Sequence, residues 1–198
     1  MTRDRRWKQA SRDRMRKTGE SYAAARHQLL QGASMPSPNE GDRQPAMYPF
    51  ERFTTAAKRV LVVAQSVAEE EDLGFVGTDH LLLAVLDDPD SQAVTMLAAL
   101  GTGAEQVEEA LAAIPAGRRP PDLPEGRQPI PTGLTRRALA RAVAVADQLG
   151  HPDVDTEHFL VALTVEADGR AGQALARAGV TGDAVMEAVV RLHAPPER

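Results

Sequence analysis

The chain has 198 residues, 42% hydrophobic and only 4% aromatic, with no cysteine and a net charge of −5. That length suits one ordinary domain or two small ones, and an Ala/Leu/Val core favours close-packed helices over a β-sandwich. Disulfides and thiolate metal sites are excluded, no apolar run reaches the roughly 18 residues of a membrane span, and no secretory signal is visible, so a cytoplasmic location is expected.

Charge is unevenly spread. Residues 1–30 hold nine Lys/Arg against three acids, leaving about −11 on the remainder. Residues 1–31 read as a basic arm of two short helices, one striped by Trp7 and Met15 and one by Tyr22 and Leu29. So little apolar surface does not hold such a hairpin together alone. Residues 32–47, rich in Gly, Pro, Ser and Asn, read as a disordered linker.

A domain is expected over residues 48–194, followed by a short tail at 195–198. Thr54 suits an N-cap, and Val60, Leu61, Ala64, Val67 and Ala68 follow at helical spacing. The acidic run Glu69-Glu70-Glu71-Asp72 reads as a solvated face. Thr78 is assigned as the cap of a second helix reaching about Leu86, where Asp87-Asp88-Pro89 breaks it. Ser91 starts a third helix, which Gly101 ends, and a fourth runs from Ala104 to Ile114. Residues 115–131 hold six prolines and read as a stiff linker.

The pattern of residues 50–114 then returns over 132–193. Thr132 answers Thr54, Leu139 answers Leu61, and Thr156-Glu157-His158 answers Thr78-Asp79-His80. Gly179 answers Gly101 and Val185 answers Val107, all at an offset of 78 residues. A constant offset across two sets of four helices indicates an internal duplication. The fold class is therefore all-α: a compact eight-helix domain with pseudo-two-fold symmetry.

Phe50-Glu51-Arg52-Phe53-Thr54, Gly77-Thr78-Asp79-His80-Leu81-Leu82-Leu83, Leu149-Gly150-His151 and Thr156-Glu157-His158 resemble the N-terminal repeat domain of Clp unfoldases of the ClpC and ClpA type. The resemblance covers about Phe50 to His193. It implies a binding module for substrate proteins, adaptors and cyclic-peptide ligands, with Clp unfoldase and protease components as partners. It also implies that the acids at Asp79 and Glu157 bind the guanidinium of phosphorylated arginine. The capping hydroxyls of Thr54, Thr132, Thr78 and Thr156 and the helix starts would then receive the phosphate. Asp79 is one methylene shorter than the family's usual glutamate, which puts the first copy in doubt. Phe50, Phe53 and Arg136 fall where such domains form a shallow peptide groove; Pro131 stands where the second repeat would carry an aromatic. On the residues alone, Thr plus acid also has a purely structural reading as a capped helix start, and both phenylalanines could simply be core.

Enzymatic chemistry finds no support. The lysines are Lys8, Lys17 and Lys58, and no Gly-x-x-x-x-Gly-Lys-[Ser/Thr] occurs, so these residues build no phosphate-cradling loop. No Gly-x-Ser-x-Gly occurs either. No cofactor is expected. Asp79/His80 and Glu157/His158 include metal-ligand types, but no third or fourth ligand of the right type is expected nearby in sequence, so no metal is assigned. The expected function is that of a free-standing, non-enzymatic accessory factor or decoy for a Clp unfoldase. The alternative is a DNA-binding or regulatory protein acting through the eight Arg/Lys between Arg3 and Lys17. Limited aromatic interleaving and an acidic body weigh against nucleic acid.

Overall fold

Threonines at equivalent positions start the two longest helices. Thr54 Oγ1 accepts from Ala57 N–H, and Thr132 Oγ1 accepts from Thr135 N–H. These N-caps satisfy donors that the first helical turn leaves open. The computed structural model describes residues 49–116 and 128–193. The arm at 1–31, the linker at 32–47, the middle of the proline-rich linker and the tail lie outside the described residues.

Among the described residues the order is a 3₁₀ turn at Phe50–Arg52, then α1 (Thr55–Glu70), β1 (Phe75–Val76), α2 (Thr78–Leu86), α3 (Gln92–Ala99) and α4 (Ala104–Ala112). The second copy follows with β2 (Ile130–Pro131), α5 (Gly133–Leu149), α6 (Thr156–Val165), α7 (Arg170–Arg177) and α8 (Gly182–Leu192). Eight helices are thus described, and the expected all-α duplication is present. Helix α5 is the longer of the two first helices, 17 residues against 16, despite Gly133 at its start.

Two short pairings add what periodicity did not suggest. β1 pairs in parallel with β2, matching Val76 to Pro131, and Phe53 bridges Val154 in the same sense. These are one contact seen twice. Thr54 N–H donates to Val154 O and Thr132 N–H donates to Val76 O, each at 3.0 Å. The chain leading into each repeat is therefore pinned to the loop of the other. Arg52 reinforces the first pin, donating to Pro152 O at 2.9 Å, His151 O at 3.1 Å and Asp147 Oδ1 at 2.6 Å.

Helices α2 and α6 are apolar around most of their circumference, and such helices are stable only when surrounded. They pack on each other at the centre, with α1 and α5 outside them. Across the repeats, α2 meets α7 and α6 meets α3. Phe53 meets Phe159 edge to face at 5.7 Å, so one core serves both copies.

Thr78 and Thr156 do not cap their own helices. The N-caps there are Gly77 and Asp155. The hydroxyls cross the pseudo-dyad instead: Thr78 Oγ1 accepts from Ala171 N–H at 3.4 Å, and Thr156 Oγ1 accepts from Ala93 N–H at 3.3 Å. Each supports the start of a helix in the other repeat, which no local pattern announces. Thr78→Val and Thr156→Val keep the shape but strand a buried N–H. Each is expected to cost about 1–2 kcal/mol in urea unfolding. A loss within error of zero would show that these bonds carry no weight.

Candidate functional site

The site grows from the starts of α2 and α6. His80 at the third helical position turns back on its own chain: Gly77 N–H donates to its Nδ1 at 2.9 Å. His158 repeats this with Asp155 N–H at 2.9 Å. A ring nitrogen that accepts from the backbone has no proton, so in the neutral ring Nε2 carries it. That Nε2–H reaches Glu71 at 3.2 Å from His80, and His151 Nδ1 at 2.9 Å from His158. Glu71 is thus a structural acceptor rather than only part of a solvated acidic face. Burial, with His151 beside it, lowers the His158 pKa to about 4. His151 is also lowered, first by burial and then by His193.

The two carboxylates between these threonines and histidines sit in different company. Asp79 is buried and ion-paired with Arg170, whose Nη1 donates to Oδ2. The same guanidinium donates through Nη2 to Ile114 O at 3.0 Å and Leu111 O at 3.5 Å. Glu157 is only 1% exposed. With the Gln92 amide nitrogen turned toward it, that side chain donates to both carboxylate oxygens at 3.1 Å. His193 Nε2 lies 3.3 Å from Glu157 Oε1. Burial raises the Glu157 pKa, against opposing pulls from its own backbone N–H and from His193. Gln92 and His193 are themselves solvent-exposed and screen the acid from outside.

The remaining expected site residues scatter. Phe53 is core, while Phe50 is 41% exposed and packs against it at 5.4 Å. Arg136 donates to Pro131 O at 2.8 Å. Thr132 Oγ1 is shared with Thr135 Oγ1 at 2.9 Å as well as capping α5. Only Thr54 of the four candidate threonines is outside the buried set.

Sequence reasoning missed Arg170, Gln92, His151 and His193. The offset could have flagged the first two, since Arg170 answers Gln92. His151 and His193 answer Leu73 and Pro115, so the repeat hid them. Contrary to the expectation of no third ligand nearby, His151 joins Glu157 and His158, their ligand atoms all within 4.8 Å of one another. Their wiring is that of a hydrogen-bond chain. A cation on His158 Nε2 would need either an imidazolate or a broken N-cap, so the donor set does not fit a metal.

A family model for the Clp repeat (R) N-terminal domain matches residues 52–177 and 130–195. The chain belongs to the Clp repeat N-terminal domain family. An uncharacterised protein of Mycobacterium tuberculosis is 38% identical over 122 residues, covering 61% of this chain and 46% of that one. The negative regulator of genetic competence ClpC/MecB of Bacillus subtilis is 32% identical over 144 residues, covering 72% of this chain and 17% of that one. The chain therefore spans less than half the length of these relatives. The N-terminal domain of the ClpD chaperone of Arabidopsis thaliana superposes with a TM-score of 0.57 at 26% identity, covering 75% of this chain and 99% of that one. The Hsp104 N-terminal domain of Candida albicans, at 20% identity and a TM-score of 0.56, shares the fold. The matching model is that of the Clp repeat domain. No helix among the described residues is long and apolar enough to cross a membrane.

Proposed function

We propose that this Clp repeat domain is a non-enzymatic binding module of the Clp proteolysis system. It takes arginine-marked substrate or adaptor proteins, phosphoarginine among them, through the acidic helix start that the two repeats share. It acts as an accessory that delivers clients to a Clp unfoldase or as a decoy that withholds them. The observation that carries the reading is the Asp79 seat. A carboxylate and two helix-end carbonyls hold a guanidinium there, within hydrogen-bond reach of both Nη atoms. A planar guanidinium that donates through both Nη atoms to separate acceptors suits arginine and not lysine. Family membership supports the module reading, because Clp N-terminal domains are associated with substrate and adaptor binding.

Calorimetric titration of the full chain with a phosphoarginine peptide tests this. Glu157→Gln removes the charge but keeps the shape, and is expected to weaken binding at least tenfold. Unchanged affinity in Glu157→Gln would remove Glu157 from the site. No heat with the wild-type chain would remove the phosphoarginine reading, and recovery of no Clp component in a lysate pull-down would count against the partnership.

A further inference from the structure

The duplication supplies an internal control at every position. Glu157 answers Asp79, and Arg170 answers Gln92. The carbonyls of Leu111 and Ile114, which receive Arg170, are answered by those of Val189 and Leu192 in the last turn of α8. The sequence thus repeats the elements of one seat, and the two carboxylates are met in two ways.

In the first copy the occupant is a cation. Arg170 reaches Asp79 from the first residue of α7, and its side chain is held from three sides. Its Nε is buried with no hydrogen-bond partner among the described residues. A second guanidinium cannot join it. It would bring a like charge within contact distance, and expelling Arg170 would strip a partly buried cation of its counter-ion. In the second copy the occupant is a neutral amide. Beside the exposed His193, whose Nε2 lies 3.3 Å from Glu157, Gln92 sits on the surface, starts α3, and donates to Glu157 without neutralising it. Displacing it exchanges one set of hydrogen bonds for a charge-assisted pair.

We infer that Arg170 is a built-in occupant of the first arginine seat, so that only the Glu157 copy accepts an arginine side chain from a partner. Arg170 is then the residue that sets how many arginine marks one domain reads. This rests on the reading that the paired acids are guanidinium seats. A domain with two open seats favours clients carrying two marks, through effective concentration. A domain with one open seat does not, and this chain is of the second kind.

Arg170→Gln gives the first copy the second copy's residue, and Gln92 is the repeat's own precedent for glutamine as the first residue of that helix. Titration of the full chain with free phosphoarginine is expected to give one site in the wild type, two in Arg170→Gln, and one in Arg170→Gln with Glu157→Gln. Two sites in the wild type would overturn the inference and leave the proposed function standing. A single site in Arg170→Gln would overturn it also. If neither protein binds phosphoarginine, the proposed function fails, and the occupied seat is read directly by NMR. The guanidinium protons of Arg170 should exchange slowly in the wild type and quickly in Asp79→Asn. Fast exchange in both would dispose of the built-in occupant.

Discussion

Replacing Gly172 by alanine should destabilise the domain by about 2 kcal/mol, measured by urea unfolding. Gly172 lies inside α7, where glycine is ordinarily unfavourable and alanine gains about 1 kcal/mol of helix propensity. Here packing overrides propensity. A Cβ at Gly172 would stand 2.4 Å from the carbonyl oxygen of Glu166 and 2.9 Å from its carbon. It would also meet the carbonyl oxygen of Leu163 at 3.1 Å. All three are backbone atoms at the end of α6, so no side chain can swing aside. Glu166 O is further fixed by Gly169 N–H at 2.8 Å. Relief requires moving α7 away from α6, and α7 carries Arg170. Gly133→Ala is the control. Its Cβ would find only the tip of Arg136 at 4.0 Å, so that change should be neutral or stabilising by up to about 1 kcal/mol. Equal behaviour of the two variants would show that α6 and α7 do not approach this closely.

Gly172 also marks the limit of what the repeat made legible. Its counterpart is Val94, which is half-buried in α3. A 78-residue offset revealed the eight helices because caps and apolar spacing are local and survive duplication. Ser91 and Gly101 stand where expected for that reason: Ser91 caps α3, and Gly101 takes a positive φ beyond its end. Contacts between repeats were not legible, because they depend on which surfaces the pseudo-dyad brings together. Thr78 shows this well. Locally it looks like a cap for α2, yet its hydroxyl serves α7, 93 residues away. The carboxylates were found through their motif, but their partners Arg170 and Gln92 were not. Those partners lie at the helix starts of the opposite repeat, and the two copies differ there. The asymmetry between the Asp79 and Glu157 surroundings thus sits in residues that match in position and differ in chemistry.

Acid should weaken the fold through His158, and His158→Gln should remove most of that effect. His158 is 1% exposed, and its pKa falls from 6.5 to about 4 in the folded chain. Between those values the unfolded chain binds more protons than the folded one, so stability rises with pH. The contribution is fully present above about pH 6.5 and is lost as pH falls toward 4. From pH 7 to pH 5 a shift of this size is worth about 2 kcal/mol. His151, lowered in the same direction, adds to the slope. Glu157 opposes it: its raised pKa gives stability that is present below its unfolded value of 4.5 and lost as pH rises through the folded value. Glutamine is the informative replacement because the protein already uses it this way. At the start of α4, Gln106 Oε1 accepts from Gly103 N–H at 2.8 Å. A glutamine at position 158 can accept from Asp155 N–H in the same manner and has no proton to gain. Urea midpoints at pH 7 and pH 5 should therefore converge in His158→Gln and separate in the wild type. Parallel pH dependence in the two proteins would mean that the acid sensitivity belongs to other groups, and that the Asp155–His158–His151 chain is not what holds His158 neutral.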